Sequence, residues 1–259
     1  MPRILFLHGF LGSPNDWDAV IHALPKSYHC TAINVTKELP LYSCPTKAQA
    51  LQDDLVENRT RLRKIRECER GCPEVKDLEE NTLYLPKPVI DASCYVVGYS
   101  MGGRIALQFF GTHRLVLIGA HLGLSDDTQR QKRLLIEQQW IHHLTTDPEK
   151  FIDDWYDQPL FSSLRQNPSL FATLLKRRKS IDISAHIALL KHFSLSHQIC
   201  YKPPEGALFL FGEKDKQYAS LYDNLTNARA IPKAGHAAHI ENPNATALCI
   251  QNYIEETSC

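Results

Sequence analysis

The chain has 259 residues, with 29 Lys and Arg against 29 Asp and Glu, so its formal net charge is zero. That balance excludes partners recognised by bulk charge, such as nucleic acid or an anionic membrane surface, and the length suffices for one large α/β domain with a substantial core. The eight cysteines follow no disulfide framework, and Cys68 and Cys72 have no second pair at zinc-site spacing, so a cytoplasmic protein with reduced thiols and neither metal nor cofactor is expected.

In chain order, apolar and polar segments alternate as in βα units. Ile4-Leu5-Phe6-Leu7 predicts a buried strand. The run is broken by His8 and is too short for a secretory leader. No stretch approaches the roughly 18 apolar residues of a membrane span. Residues 17–24 predict a helix, and residues 30–35 (CTAINV) a second strand. Residues 47–70 place Ala48, Leu51, Leu55, Leu62 and Ile65 near helical spacing, with the arginines mostly off that stripe. Residues 71–88 are polar, acidic and proline-bounded, the composition of an exposed excursion. Strand signals return at 94–97, 115–118 and 207–211, and between the last two the segment 123–198 has helical character with almost no strand signal. The expected architecture is a mostly parallel sheet flanked by helices: residues 1–122 and 199–259 form the core, and residues 123–198 an inserted helical lid. Ligands of such sheets bind at the carboxyl ends of the strands.

One motif sits where such a ligand would lie. In VVGYSMGGRIAL (Val96 to Leu107), Gly98, Ser100 and Gly102 fit G-x-S-x-G, a sharp strand-to-helix turn that exposes a serine at its apex. The plainer reading is a glycine-rich turn whose serine caps the helix. A serine nucleophile or base needs an imidazole to take its proton and an acid to orient that imidazole. The chain order expected for this turn is Ser, Asp, His. Asp215, after ALFLFGE, and His236, in KAGHAAH, meet it; Asp126 or Asp127 competes as the acid and His239 as the base. Of the adjacent histidines, His142 is expected to face solvent and His143 the lid interior. An oxyanion hole needs two backbone N–H donors, for which Met101, after the serine, and Phe10, in the loop after the first strand, are the candidates.

HGFLGSPNDW, GYSMGGRIAL, WYDQPLFSSL, FGEKD and AGHAAHIENP together resemble the α/β-hydrolase family, over most of the chain from Arg3 to Asn252. More narrowly, they resemble the 2-succinyl-6-hydroxy-2,4-cyclohexadiene-1-carboxylate synthases of menaquinone biosynthesis, WYDQPLFSSL being the most discriminating segment. The resemblance implies an α/β-hydrolase fold and a Ser100-Asp215-His236 triad. It also implies a carbon–oxygen lyase that eliminates pyruvate from 2-succinyl-5-enolpyruvyl-6-hydroxy-3-cyclohexene-1-carboxylate, the serine acting as base. The same fold and triad fit a carboxylic ester hydrolase, for example one like pimeloyl-acyl-carrier-protein methyl ester esterase. The small-molecule partner is thus a polycarboxylate or an ester. For a polycarboxylate the resemblance points to Arg104, Arg133 and Arg178 as binding residues, with Tyr99 and Trp155 lining the site. The chain departs from the synthases in three places. NVTKELPLYSCP from Asn34 replaces their D-x-P-G-H-G loop, residues 59–92 form a longer excursion, and KSIDIS stands where they carry a run of asparagines.

Overall fold

The computed structural model describes residues 1–38, 93–109 and 114–258; the helix expected at 47–70 and the excursions at 71–88 and 59–92 lie outside them. Within the described residues six strands form one all-parallel sheet: β1 (Arg3–Leu7), β2 (His29–Ile33), β3 (Tyr95–Tyr99), β4 (Arg114–Ile118), β5 (Leu208–Gly212) and β6 (Ala228–Ile231). Their spatial order is β2-β1-β3-β4-β5-β6. Strand β3 is buried at every position, and β1 and β4 at all but the first. Both faces of these strands are covered, which is why they read as unbroken apolar runs without polar alternation. The sheet grows outward from β1 in both directions, so its switch point lies between β1 and β3, where ligands of open α/β sheets bind. Register aligns Leu7 with Gly98 and Tyr99 with Ile118, so His8, Ser100 and Gly119 leave the sheet along one edge.

The single helix expected at 17–24 divides in two. Pro14 opens a 3-10 turn (Pro14–Trp17) that buries Trp17, and α1 (Asp18–Ala23) follows, ending where Leu24 turns extended. Helix α2 (Met101–Phe109) leaves the end of β3. Strand β6 was not foreseen: ARAI is four residues long and only Ile231 is buried, so it carries almost no apolar signal.

Between β4 and β5 the chain runs through α3 (Asp127–Thr146), α4 (Pro148–Asp157), a 3-10 turn (Pro159–Phe161), α5 (Ser162–Arg165), α6 (Pro168–Arg178) and α7 (Ile183–His192). Asp126, Asp147, Asn167 and Asp182 each cap a helix by accepting the backbone N–H three residues on. Each such cap is worth roughly 1 kcal/mol, and proline at the start of α4 and α6 suits a position with no hydrogen-bond partner to lose. Helix α4 buries Phe151, Ile152 and Tyr156 against the rest of the protein. After β5 come α8 (Lys216–Leu221), α9 (Ala238–Glu241) and α10 (Pro243–Thr257). No described helix is long and apolar enough to cross a membrane.

Candidate active site

Ser100 occupies the turn between β3 and α2 with φ +49°, a left-handed conformation that side-chain-bearing residues rarely adopt. Its N–H donates to the Ile118 carbonyl at 2.8 Å, and its carbonyl accepts the Arg104 N–H at 3.1 Å. The flanking glycines are steric requirements. A Cβ on Gly102 would lie 2.2 Å from the Leu7 carbonyl oxygen, and one on Gly98 would lie 2.5 Å from the Gly103 Cα. The half-buried Ser100 lines a cavity of about 230 Å³ between the sheet edge and the helical insertion.

His236, in the loop between β6 and α9, lines the same cavity. Its Nδ1 is 2.8 Å from Oδ2 of Asp215, and both side chains are buried. The other oxygen of Asp215, Oδ1, accepts the Tyr218 N–H at 3.2 Å and thereby caps α8. The imidazole packs against Tyr218, Tyr99 and Phe161. It also approaches Gly119 so closely that a Cβ there would lie 2.9 Å from its Cε1. A carboxylate at Nδ1 fixes the proton there, which makes Nε2 the basic nitrogen.

The competing residues are occupied elsewhere. Asp126 spends its carboxylate on the cap of α3, and Asp127 is exposed. His239 is fully buried between the rings of Trp17 and Tyr99, with neither nitrogen hydrogen-bonded. Burial pushes its pKa down to about 3. His142 is exposed as expected, but His143 is exposed too, correcting the expectation that it faces inward; Glu137 and Leu144 form the buried side of α3 instead.

Phe10 and Met101 both border the cavity. Met101 is the first residue of α2, where a helix leaves its N–H groups without intrahelical partners. Phe10 lies in a tight turn closed by the Gly12 N–H on the Gly9 carbonyl at 3.0 Å, and its ring meets Trp155 edge-on at 5.0 Å. Tyr99 and Trp155 also line the cavity.

The three arginines expected to bind substrate all reach this cavity but differ in what they hold. Arg104 is buried, its Nη1 donating to the Phe193 carbonyl at 2.8 Å and to Gln198 Oε1 at 3.3 Å. Both acceptors are neutral, and no carboxylate among the described residues forms an ion pair with it. Burial, reinforced by Arg133, pulls its pKa down to about 10. Arg133 is paired with Glu137 at 2.7 Å and lies over the Trp140 ring, 4.5 Å from its centre. Arg178 is committed to Asp16 by two parallel bonds of 2.9 and 2.8 Å, and its Nε donates to the Tyr156 hydroxyl at 2.9 Å. Burial lowers the Arg178 pKa, but Tyr156 and Asp16 outweigh it and hold the group above its ordinary value. The structure therefore gives Arg178 a neutralising partner within the protein, which the sequence reading did not foresee.

The sequence profile described as "Alpha/beta hydrolase family" matches residues 4–247. The chain belongs to the alpha/beta hydrolase family. Within the family, a Haemophilus influenzae protein provisionally named 2-succinyl-6-hydroxy-2,4-cyclohexadiene-1-carboxylate synthase is 33% identical over 98% of each chain. The synthase of that name from Enterobacter sp. strain 638 is 30% identical, covering 96% of this chain and 90% of the relative. Among solved structures, MenH from S. aureus superposes with a TM-score of 0.68 at 19% identity, covering 100% of this chain and 95% of the other, a likeness of fold.

Three residues at this hydrolase-fold site went unnoticed in the sequence. Asp16 lies in HGFLGSPNDW, but only a three-dimensional contact identifies it as the partner of Arg178. Gln198 donates through Nε2 to the His121 carbonyl at 3.1 Å while its Oε1 accepts from Arg104. His121 lines the cavity just past the end of β4, and its place at a strand's carboxyl end was the signal that could have found it. Among the described residues no group of three or more His, Cys, Asp or Glu could hold a metal ion.

Proposed function

We propose that the chain is a carbon–oxygen lyase that eliminates pyruvate from 2-succinyl-5-enolpyruvyl-6-hydroxy-3-cyclohexene-1-carboxylate, with Ser100, His236 and Asp215 as its triad and the insertion at 123–198 as its lid. The observation that carries this reading is the buried Arg104, a cation without an anionic partner beside the serine. A protein that buries an unpaired charge in a cavity is complementary to a ligand that brings the opposite charge. The substrate is a polycarboxylate; a neutral ester would leave that guanidinium without a direct ionic partner, since the nearby Glu137 carboxylate is held by Arg133. The names of the relatives support the same assignment.

The chemistry follows from the substrate's bonds. The ring C2–H lies next to the succinyl ketone and is therefore acidic. Asp215 holds the His236 imidazole, whose Nε2 takes the Ser100 proton as the serine oxygen removes the C2 proton. Negative charge develops on the ketone oxygen, where the Met101 and Phe10 N–H groups receive it. The electron pair then forms C2=C3, the C3=C4 pair shifts to C4=C5, and the C5–O bond breaks. The leaving enolate of pyruvate takes up a proton at carbon, so the abstracted proton is balanced and no water is consumed.

An ester hydrolase is the second reading, because the same serine and backbone donors fit acyl transfer. One experiment separates them: the purified protein is given the enolpyruvyl substrate and, separately, a short-chain aryl ester, and kcat/KM is compared. Rapid pyruvate release is expected. Efficient ester hydrolysis without pyruvate release would overturn the lyase assignment.

A further inference from the structure

His121 stands at the end of β4 and takes no part in the triad, the backbone donors or the arginine set. It lines the same cavity as Ser100, Arg104 and Arg133. Its loop is fastened on three sides: the His121 carbonyl accepts from Gln198 Nε2 at 3.1 Å, the Leu122 carbonyl accepts from the Tyr201 N–H at 2.7 Å, and the Gly123 N–H donates to His121 Nδ1 at 3.0 Å. Gly123 itself has φ +118°, and a Cβ there would lie 2.4 Å from the Ile199 carbonyl oxygen, so the turn cannot relax around a larger residue.

These contacts fix the chemistry of the ring. A nitrogen that accepts the Gly123 amide proton cannot carry one itself, so the neutral imidazole bears its proton on Nε2. Burial, Arg104 and Arg133 together hold the pKa down to about 4, which keeps the ring neutral at physiological pH. No described residue accepts from Nε2. Gln198, bonded at one end to Arg104 and at the other to the His121 backbone, ties the guanidinium and the imidazole loop to each other. We propose that His121 is a specificity-determining residue whose Nε2–H donates to the carboxylate that Arg104 receives, so that this corner selects a carboxylate over the corresponding amide or ester. A neutral donor suits the position, because a third cation beside Arg104 and Arg133 would add repulsion, whereas an N–H adds direction without charge. The inference rests on the reading that Arg104 receives a substrate carboxylate, but not on elimination of pyruvate.

The test is therefore a binding experiment. The probe is 4-oxo-4-phenylbutanoate, an aryl ketone with one carboxylate, with its primary amide as the neutral control. Binding is followed by tryptophan fluorescence, since Trp140 and Trp155 line the cavity. His121→Asn keeps an acceptor for the Gly123 amide and withdraws the donor from the Nε2 position; His121→Gln restores a donor near that position. The expected result is a loss of about 10-fold or more in acid affinity for His121→Asn, the range for a hydrogen bond to a charged group. His121→Gln should stay within about 3-fold of the parent, and the amide, whose carbonyl accepts only a weaker neutral hydrogen bond, should lose clearly less than the acid in His121→Asn. If His121→Asn binds the acid as tightly as the parent while Arg104→Met does not, the role of His121 is overturned and the carboxylate corner stands. If Arg104→Met also binds the acid as tightly as the parent, the corner itself is wrong and the proposal falls with it.

Discussion

Replacing Arg104 with methionine tests whether the buried cation serves a substrate carboxylate. Methionine keeps most of the aliphatic bulk, removes the charge, and leaves the Phe193 carbonyl and Gln198 Oε1 each short of one donor. In the free protein, holding the guanidinium in this cavity depresses its pKa to about 10, a shift worth on the order of 3 kcal/mol against the folded state. The guanidinium is charged in both folded and unfolded chains at neutral pH, so that cost is constant there. It is relieved only as the pH rises through the folded value near 10. Removing the charge should therefore leave stability within about 1–2 kcal/mol of the parent, since the relieved burial offsets the two lost hydrogen bonds. Activity should behave differently. A desolvated, charge-assisted contact to a carboxylate is worth about 2–5 kcal/mol, so kcat/KM for the enolpyruvyl polycarboxylate should fall about 30-fold or more. Hydrolysis of a neutral aryl ester should change by less than about 3-fold, because no carboxylate contact is lost. Urea unfolding and the two kinetic assays on one preparation give the comparison. An Arg104→Met protein that processes the polycarboxylate as well as the parent refutes the argument. Equal losses on both substrates would trace the effect to folding.

Ser100→Ala should lower kcat/KM by about 10³-fold or more in the same assays while still folding. Ser100→Gly should be equally inactive yet more stable than Ser100→Ala by about 1 kcal/mol in urea, because glycine accepts φ +49° without strain. His236→Ala should match Ser100→Ala in activity, and the double variant should be little worse than either, since groups that act as a unit are not additive; multiplied losses would separate the histidine from the serine. Asp16→Asn should cost about 3–5 kcal/mol of stability by leaving the buried Arg178 half-paired. In the parent, burial raises the Asp16 pKa but Arg178 more than offsets it, so the carboxyl titrates below its ordinary range. Its stabilising contribution is then complete above about pH 4 and lost as the pH falls through the folded value. Acid unfolding curves of parent and Asp16→Asn should converge in that range.

The parts of this protein that were legible in its sequence are those where one local cause dominates. Central strands buried on both faces announce themselves as apolar runs, and G-x-S-x-G has a backbone reason for each glycine, borne out by the contacts a Cβ would make at Gly98 and Gly102. Strand β6 escaped because it lies at the sheet's edge and buries only Ile231. The pairing of Asp215 with His236 was inferred from chain order, and the geometry brings the two together. Arg104 and Arg178 read alike as helix arginines. They differ only because Asp16, 162 positions away in the chain, reaches one of them, and no spacing rule registers such a contact. His121 was hidden for a related reason: its tautomer depends on a turn that Gly123 alone allows.

Asp215 divides its two oxygens between two tasks, one on His236 and one on the first turn of α8. A lineage that gave up the reaction would feel no pressure to keep Ser100, whose strained backbone makes its replacement by glycine a gain in stability. It would still favour a capping side chain there, and the aspartate already present serves, because the cap stabilises α8 by roughly 1 kcal/mol. The two residues would thus age at different rates once selection on chemistry lapsed. In sorting active from retired members of this fold, a surviving aspartate at this position is weak testimony, and the residue at the apex of the turn is the one to ask.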